Sequence, residues 1–218
     1  AEGGTGYNHC VTMGRSRNIW GLYEKDPNGP VVTSNPVETN ERNNIDHLKP
    51  QYFNPYTTLQ KAGHGSLVDL PNGESYLVHL CARPFVPELR CTLGRETAIQ
   101  KMKWTDEGWL RMTDGTNIAK EYTEESALEE YPVSQIPDFD DFDSDILGSW
   151  YYSPRIMPSC FADINARKGY VRLRGQESRT SLNKVSILAR KLTSTYATVT
   201  TKMEYIPEMP HQSAGLIF

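Results

Sequence analysis

Apolar and polar residues alternate along short stretches of this chain, which is the pattern of β-strands with one buried face. Turn residues separate the stretches, as in Pro-Asn-Gly at 27–29 and 71–73. The predicted strands cover residues 9–16, 30–34, 65–70, 74–82, 98–104, 108–113, 170–175, 185–192 and 196–205. One stretch, TEESALEEY at 123–131, has the spacing of a short helix. The pattern predicts an all-β fold, either a propeller, a barrel or a sandwich.

One hairpin is predicted with its turn. DLPNGESYLVHL, at 69–80, places a tight turn between two alternating stretches. Within the second of these strands, His79 alternates with apolar residues, and we expect it to be structural.

The character of the chain changes near residue 136. The stretch from 130 to 150, EYPVSQIPDFDDFDSDILGSW, carries two prolines and five aspartates. We therefore predict two β domains, residues 1–135 and 136–218. An EF-hand calcium loop would need glycine at its sixth position and glutamate at its twelfth, and counting from Asp138 neither is present. The acidic stretch is better explained as a solvated linker.

Composition excludes several classes of function. The chain has 218 residues, of which 38% are hydrophobic and 10% aromatic, so one large core or two modest cores can form. A net charge of -4 gives no basic surface for nucleic acid or an anionic membrane. No window approaches the roughly 18 apolar residues of a membrane-spanning helix. Motifs of serine hydrolases, P-loop proteins, dinucleotide-binding proteins and zinc proteases are missing from the sequence.

The cysteines favour a reducing compartment. Cys10, Cys81, Cys91 and Cys160 form no C-x-x-C pair, so a zinc or redox site is not indicated. Cys81 lies in a predicted strand and reads as a buried thiol. A bridge between Cys81 and Cys91 remains an alternative, but we expect reduced cysteines and a cytoplasmic protein.

Three residues stand in contexts that suit binding or catalysis. Glu2 precedes two glycines, which would let a ligand approach the backbone closely, and it could serve as a general acid. His64 lies between Gly63 and Gly65, just before an apolar strand. Arg95 presents a guanidinium suited to bidentate contacts. From these residues alone, an exposed terminal glutamate, a buried turn histidine and a strand-end salt bridge remain the alternatives.

Six segments occur in order along the chain: AEGGTGYNH, NIWGLYEKDPNGPVVTS, LQKAGHGSLVDL, YLVHLCARP, LGRETAIQKMKWTDEGW and MPHQSAGLIF. Together they resemble glycoside hydrolase family 43, in particular its two-domain branch of β-xylosidases and α-L-arabinofuranosidases. The resemblance implies an all-β chain that comprises part of a five-bladed β-propeller followed by the start of a concanavalin-like β-sandwich. One small departure is Leu22, where relatives usually have proline.

The resemblance also implies roles for the three residues. The family inverts the anomeric configuration with an acid and a base, and Glu2 matches the acid. Arg95 matches an arginine that contacts the sugar. His64 matches a pocket histidine that touches a calcium ion in some relatives, although in this branch no metal is assured. The implied substrates are xylo-oligosaccharides, cleaved at their non-reducing ends, or arabinose-containing glycans, and the implied assembly is a homo-oligomer.

The same resemblance places the base aspartate and a modulating aspartate upstream of Glu2, where this chain has no room for them. A five-bladed propeller needs on the order of 250 residues, more than the first predicted domain contains. We therefore expect the sequence to be an internal part of a larger glycosidase, inactive in isolation. The alternatives are an arabinofuranosidase or arabinanase, and a non-catalytic carbohydrate-binding protein.

Overall fold

The computed structural model describes residues 6–35 and 53–218, which are mostly extended and contain almost no helix. The chain divides into two compact units, residues 1–130 and 131–218. The described strands are β1 (Cys10–Val11), β2 (Gly14–Arg15), β3 (Glu24–Lys25), β4 (Val32–Thr33), β5 (Gln60–Asp69), β6 (Ser75–Ala82), β7 (Glu96–Trp104), β8 (Leu110–Met112), β9 (Ala162–Asp163) and β10 (Arg172–Leu173). Among the described residues, Pro158–Cys160 form a turn of 3-10 helix.

The first unit is organised around one antiparallel sheet, in which β5, β6, β7 and β8 pair in sequence order. The predicted hairpin is confirmed, since β5 and β6 pair from Asp69 opposite Ser75 inward. Its turn is closed by the Leu70 N–H, which donates to the Glu74 carbonyl at 2.8 Å. Gly73 occupies the left-handed region with φ +87°, which glycine adopts without steric cost.

Apolar side chains from the sheet, from β4 and from the residues beside these strands form the core of this unit. Strand β1 pairs with β4, and β2 pairs with β3, both antiparallel. A parallel bridge between Thr33 and Ile118 ties β4 to the segment after β8. Removing apolar surface from water is the main driving force for this packing. The buried cluster comprises Val31, Val32, Leu59, Ala62, Leu77, Cys81, Met102, Leu110, Met112 and Ala119.

A buried ion pair joins the start of the unit to β8. Asp26 is only 1% exposed, and its carboxylate accepts two hydrogen bonds from the Arg111 guanidinium, at 2.6 and 2.7 Å. The planar fork of arginine matches a carboxylate in this bidentate geometry. A charge buried to this degree is tolerated because both oxygens are hydrogen bonded.

His79 in β6 is a structural residue, as the sequence predicts. It is 1% exposed, and burial lowers its pKa, so the ring is neutral at neutral pH. The Gln100 amide nitrogen lies 3.2 Å from His79 Nε2 and donates to the Lys120 carbonyl at 2.9 Å. Because an amide nitrogen only donates, Nε2 accepts and the ring proton is on Nδ1, which lies 3.0 Å from the Leu80 carbonyl.

The helix predicted at 123–131 is wrong, because its polar groups are engaged by the sheet. Thr123 Oγ1 accepts from the Lys101 N–H at 2.9 Å, and the Glu74 carboxylate accepts from the Ala127 N–H at 3.0 Å. Glu74 also pairs with the Lys101 ammonium at 2.7 Å, and this contact above all lowers the pKa of Glu74 to about 2. Side-chain bonds of this kind compete with the helical backbone pattern.

The second unit contains fewer strands than the alternating pattern predicts. β9 pairs with β10, and a bridge joins Tyr152 to Ala189 through two 2.8 Å hydrogen bonds. Phe161 and Val185 are its most deeply buried apolar residues. The strands predicted at 185–192 and 196–205 do not form, apart from the Ala189 bridge, and the second stretch is exposed throughout. Alternation alone does not make a strand, which also needs a neighbour to complete its hydrogen bonds.

Candidate functional site

Strand β5 carries two irregularities within its first half. The pairing register with β6 shifts between Gln60 and Gly63 and again between Gly63 and Ser66. Lys61 and His64, which fall inside these two intervals, both have φ +56°. A β-bulge adds one residue to a strand and re-aims the side chains beside it. A non-glycine residue in this left-handed region costs roughly 1–2 kcal/mol, so the surroundings must hold it there.

A buried histidine from the start of the unit holds this part of β5. His9 is 1% exposed, and its Nδ1 lies 3.1 Å from the Lys61 carbonyl. Its ring packs so closely on Gly63 that a Cβ added there would lie 2.4 Å from Cγ and Cδ2 of the ring. The Thr33 hydroxyl donates to the His9 carbonyl at 3.2 Å, which fixes the backbone of His9 as well. Only glycine at position 63 admits the ring.

The structure brings His64 and Arg95 to the surroundings of His9. Burial is the main cause that lowers the pKa of His9; the hydrogen bond to Lys61 acts in the opposite direction, and the nearby Arg95 and His64 lower the pKa further. His64 is exposed in a bulged strand, so it is not the buried turn histidine of the alternative. Arg95 is also exposed, directly before β7, where the next residue, Glu96, pairs with Arg83 at 2.6 Å.

Glu2, the predicted general acid, lies outside the described residues. Its position relative to His64 and Arg95 therefore stays a prediction.

Lys61 also belongs to a cluster with two aromatic side chains, Tyr7 and Phe53. Tyr7 is buried, and Phe53 meets its ring edge-on with centroids 6.1 Å apart. The Lys61 ammonium lies 4.6 Å from the centroid of the Tyr7 ring, within cation–π range. Burial raises the pKa of the Tyr7 hydroxyl, and the neighbouring Cys91 raises it further. Lys61 therefore makes two contacts. Its backbone carbonyl is hydrogen bonded to His9, and its side-chain ammonium lies over the Tyr7 ring.

Sequence reasoning missed His9 and Tyr7. Both lie in the stretch GTGYNHC at 4–10, where His9 begins the predicted strand 9–16 and no site residue is predicted. The available signal was Gly63, because a glycine inside a strand often marks a close approach by another group. That signal indicates that something large lies against β5, but it does not identify the partner.

The cysteines are all free, so the alternative bridge between Cys81 and Cys91 does not form. Burial raises the pKa of Cys81 to about 11, which keeps this thiol protonated and unreactive. Residues 6–35 and 53–218 include no group of three or more His, Cys, Asp or Glu side chains that could hold a metal ion. Within the same ranges, no helix is long and apolar enough to span a bilayer.

The described neighbours of His64 do not by themselves fit calcium. Calcium takes six to eight oxygen ligands, mainly carboxylates and carbonyls. Near His64 the structure places the imidazole of His9, whose pKa is lowered by His64 and by the nearby Arg95. A calcium ion near His64 would need oxygen ligands from elsewhere, and it stays a prediction.

Two family models match the chain, one within each of the two compact units. The model of glycosyl hydrolases family 43 matches residues 1–110, which contain Glu2, His64 and Arg95. The model of the beta xylosidase C-terminal concanavalin A-like domain matches residues 139–218. The chain therefore belongs to glycosyl hydrolases family 43.

Individual relatives narrow the comparison within that family. The chain is 36% identical to xylosidase/arabinosidase 43B of Humicola insolens, over 99% of this chain and 37% of the relative. It is 34% identical to a beta-xylosidase of Bacillus subtilis (strain 168), over 100% of this chain and 39% of the relative. The chain thus spans little more than a third of the length of these curated relatives.

Solved structures agree with this assignment. The crystal structure of a xylan beta-1,4-xylosidase from Bacillus halodurans C-125 superposes with a TM-score of 0.75 and 44% identity, over 89% of this chain and 34% of that one. A protein named Bacteroides ovatus Xyloglucan PUL GH43B superposes with a TM-score of 0.71 and 29% identity, over 89% and 35% respectively. The β-rich architecture described above is therefore that of the family.

Proposed function

We propose that the complete protein is an inverting glycosidase of the β-xylosidase type, which releases xylose from the non-reducing ends of xylo-oligosaccharides. The observation that carries the proposal is the doubly bulged strand β5 of a family 43 chain, which presents His64 beside the buried His9, with Arg95 also near His9. Strain held at a small cluster of polar side chains is typical of functional sites. The names of the relatives, which are xylosidases at 34–36% identity, support this substrate class.

Each predicted site residue has a role in this proposal. Glu2 protonates the leaving glycosidic oxygen as the general acid, and Arg95 and His64 bind the sugar. Inversion needs a second carboxylate as base, about 6.5–9.5 Å from the acid, so that a water molecule fits between them. The four antiparallel strands β5–β8 pair in sequence order, and one propeller blade likewise consists of a four-stranded sheet. We infer that it is one of five blades around the sugar pocket, with a concanavalin-like sandwich following.

The experiment compares the protein expressed from its complete gene with a Glu2→Gln variant on an aryl xyloside. General acid catalysis contributes about 10²–10⁴-fold, so the variant loses that much turnover. Glu129→Gln serves as the control, because Glu129 is an exposed glutamate of the same unit. Xyloside turnover that survives Glu2→Gln overturns the assigned role. The isolated 218-residue chain is expected to show no turnover above its own Glu2→Gln variant.

An arabinofuranosidase is the second candidate. A protein named non-reducing end alpha-L-arabinofuranosidase BoGH43B, from Bacteroides ovatus, is 30% identical over 100% of this chain. Xylose and arabinose are both pentoses, and the acid chemistry is shared, so the pocket walls decide between them. The ratio of kcat/KM for an aryl xyloside and an aryl arabinofuranoside distinguishes the two activities. Binding of xylo-oligosaccharide without any turnover would instead support a non-catalytic carbohydrate-binding protein.

We also propose a cytoplasmic homo-oligomer, with calcium near His64 as the candidate metal. Light scattering of the purified complete protein gives the oligomeric state, and fractionation of the source cells gives the location. Elemental analysis before and after chelation measures calcium, and a chelated protein with unchanged activity excludes a functional role for the ion.

A further inference from the structure

We propose that His9 is a positioning residue of the site: its ring and its Nδ1 hold both bulges of β5 and thereby set the direction of His64. This inference rests on the proposed function only for its effect on activity. The structural part, that His9 determines the backbone of β5, stands on contacts alone.

His9 contacts β5 at both of its strained positions, at Lys61 itself and at Gly63, the neighbour of His64. Nδ1 lies 3.1 Å from the carbonyl of Lys61, the first residue with φ +56°. The ring then packs on Gly63, directly before His64, the second such residue. Each bulge costs strain, and a carbonyl bond and a ring contact at these points oppose its relaxation to regular pairing. One buried side chain therefore supports both irregularities.

The hydrogen bond to Lys61 also fixes the chemistry of the ring. A carbonyl oxygen only accepts, so Nδ1 of His9 carries a proton and donates it. Burial lowers the pKa of His9, which favours the neutral ring at neutral pH. An asparagine at this position can place its amide N–H close to where Nδ1 lies, whereas a leucine fills similar space without a donor. The two substitutions separate the hydrogen bond from the packing.

The test measures His9→Asn and His9→Leu in the complete protein, each with and without His64→Ala, as kcat and KM on an aryl xyloside. We expect His9→Asn to retain most of the activity and His9→Leu to lose about 10²-fold, since a displacement near 1 Å costs that much. In the His64→Ala background, His9→Leu should change activity by less than about twofold, which is about the error of such a double-mutant comparison. If His9 acts through His64, removing the His64 side chain should also remove the effect of His9→Leu on activity.

His79→Leu is the matched control, because His79 is equally buried and its Nδ1 also lies near a backbone carbonyl. It should lower stability and change activity by the same factor in both backgrounds. Equal loss from His9→Leu in the two backgrounds, or equal damage from asparagine and leucine, overturns the proposal. If His9→Leu does not fold, His9→Gln replaces it, because its amide lies one methylene further from the backbone.

Crystal structures of the same variants decide the structural part independently. In His9→Leu, or in His9→Gln, the φ angle of His64 should leave the left-handed region and at least one register shift should disappear. Persistence of φ near +56° and of both shifts overturns the proposal, whatever the enzyme assays show. A complete protein without glycosidase activity refutes the proposed function, and the φ angle of His64 then still decides whether His9 positions it.

Discussion

The close packing of the His9 ring on Gly63 predicts how much Gly63→Ala lowers the free energy of unfolding. Gly63→Ala adds a Cβ only 2.4 Å from two atoms of the His9 ring, well inside ordinary contact. The φ angle of Gly63 lies outside the left-handed region, so the cost comes from packing and not from backbone strain. The ring must move by about 1 Å to reach an ordinary contact of 3.4 Å.

Such a movement is expensive because the ring has little freedom. His9 is 1% exposed, and its 3.1 Å bond to Lys61 would be stretched beyond hydrogen-bonding range. Overpacking a core costs about 1–3 kcal/mol, and loss of the hydrogen bond adds about 0.5–1.5 kcal/mol. We expect Gly63→Ala to lower the free energy of unfolding by about 2–4 kcal/mol.

Urea denaturation followed by tryptophan fluorescence measures this change, with Gly65→Ala as the control on the same strand. A Cβ at position 65 meets only methyl ends, at 2.9 Å from Leu77 and 3.0 Å from Val11, and these can rotate away. The control should therefore cost no more than about 1 kcal/mol. In a His9→Ala background, Gly63→Ala should also cost less than about 1 kcal/mol, because the ring is gone. Equal costs at 63 and 65, or an unchanged cost without the ring, would refute the reasoning.

Three further predictions concern stability and reactivity. Asp26→Asn leaves the Arg111 guanidinium without its buried counter-charge and should cost about 3–5 kcal/mol in the same urea assay, whereas a loss below 1 kcal/mol contradicts the pairing. The pKa values of His9 and His79 are lowered by burial, so the unfolded chain binds protons that the folded chain does not; stability is full above about pH 6.5 and falls as the pH drops below it. Urea midpoints between pH 8 and 5 check this slope, and a flat profile contradicts it. The thiol of Cys81, with its pKa raised to about 11, should react with a thiol reagent only on unfolding, long after the exposed cysteine of the second unit, as mass spectrometry would show.

The local pattern predicted the central sheet, because alternation and turn chemistry are properties of neighbouring residues. β6 was predicted almost to its ends, and the hairpin turn at Asn72 and Gly73 was read from its dipeptide. Resemblance, rather than periodicity, supplied the family and the interest in His64 and Arg95. The position of these two residues near His9 depends on the pairing of β5, β6 and β7, which no single stretch contains.

What could not be predicted depends on contacts between distant segments. His9 acts on Gly63 and Lys61 across a long sequence separation, and its histidine side chain gave no sign of burial. The failed helix at 123–131 had favourable spacing, but the sheet offered its polar groups better partners in Lys101 and Glu74. In the second unit, alternating residues found few strands to pair with. Tertiary context overrode local propensity in both cases.

The Glu74 carboxylate has a consequence for how this sequence tolerates changes in length. Hairpin turns usually accept inserted residues, so they are common places for loops to grow and for tags to be grafted. Here the same carboxylate accepts from Asn72 within the turn, from Ser126 and from the Ala127 backbone. An insertion at this turn would detach the segment that leads out of the first unit. Variation in loop length should therefore concentrate at turns whose side chains do not hold a distant segment of the chain.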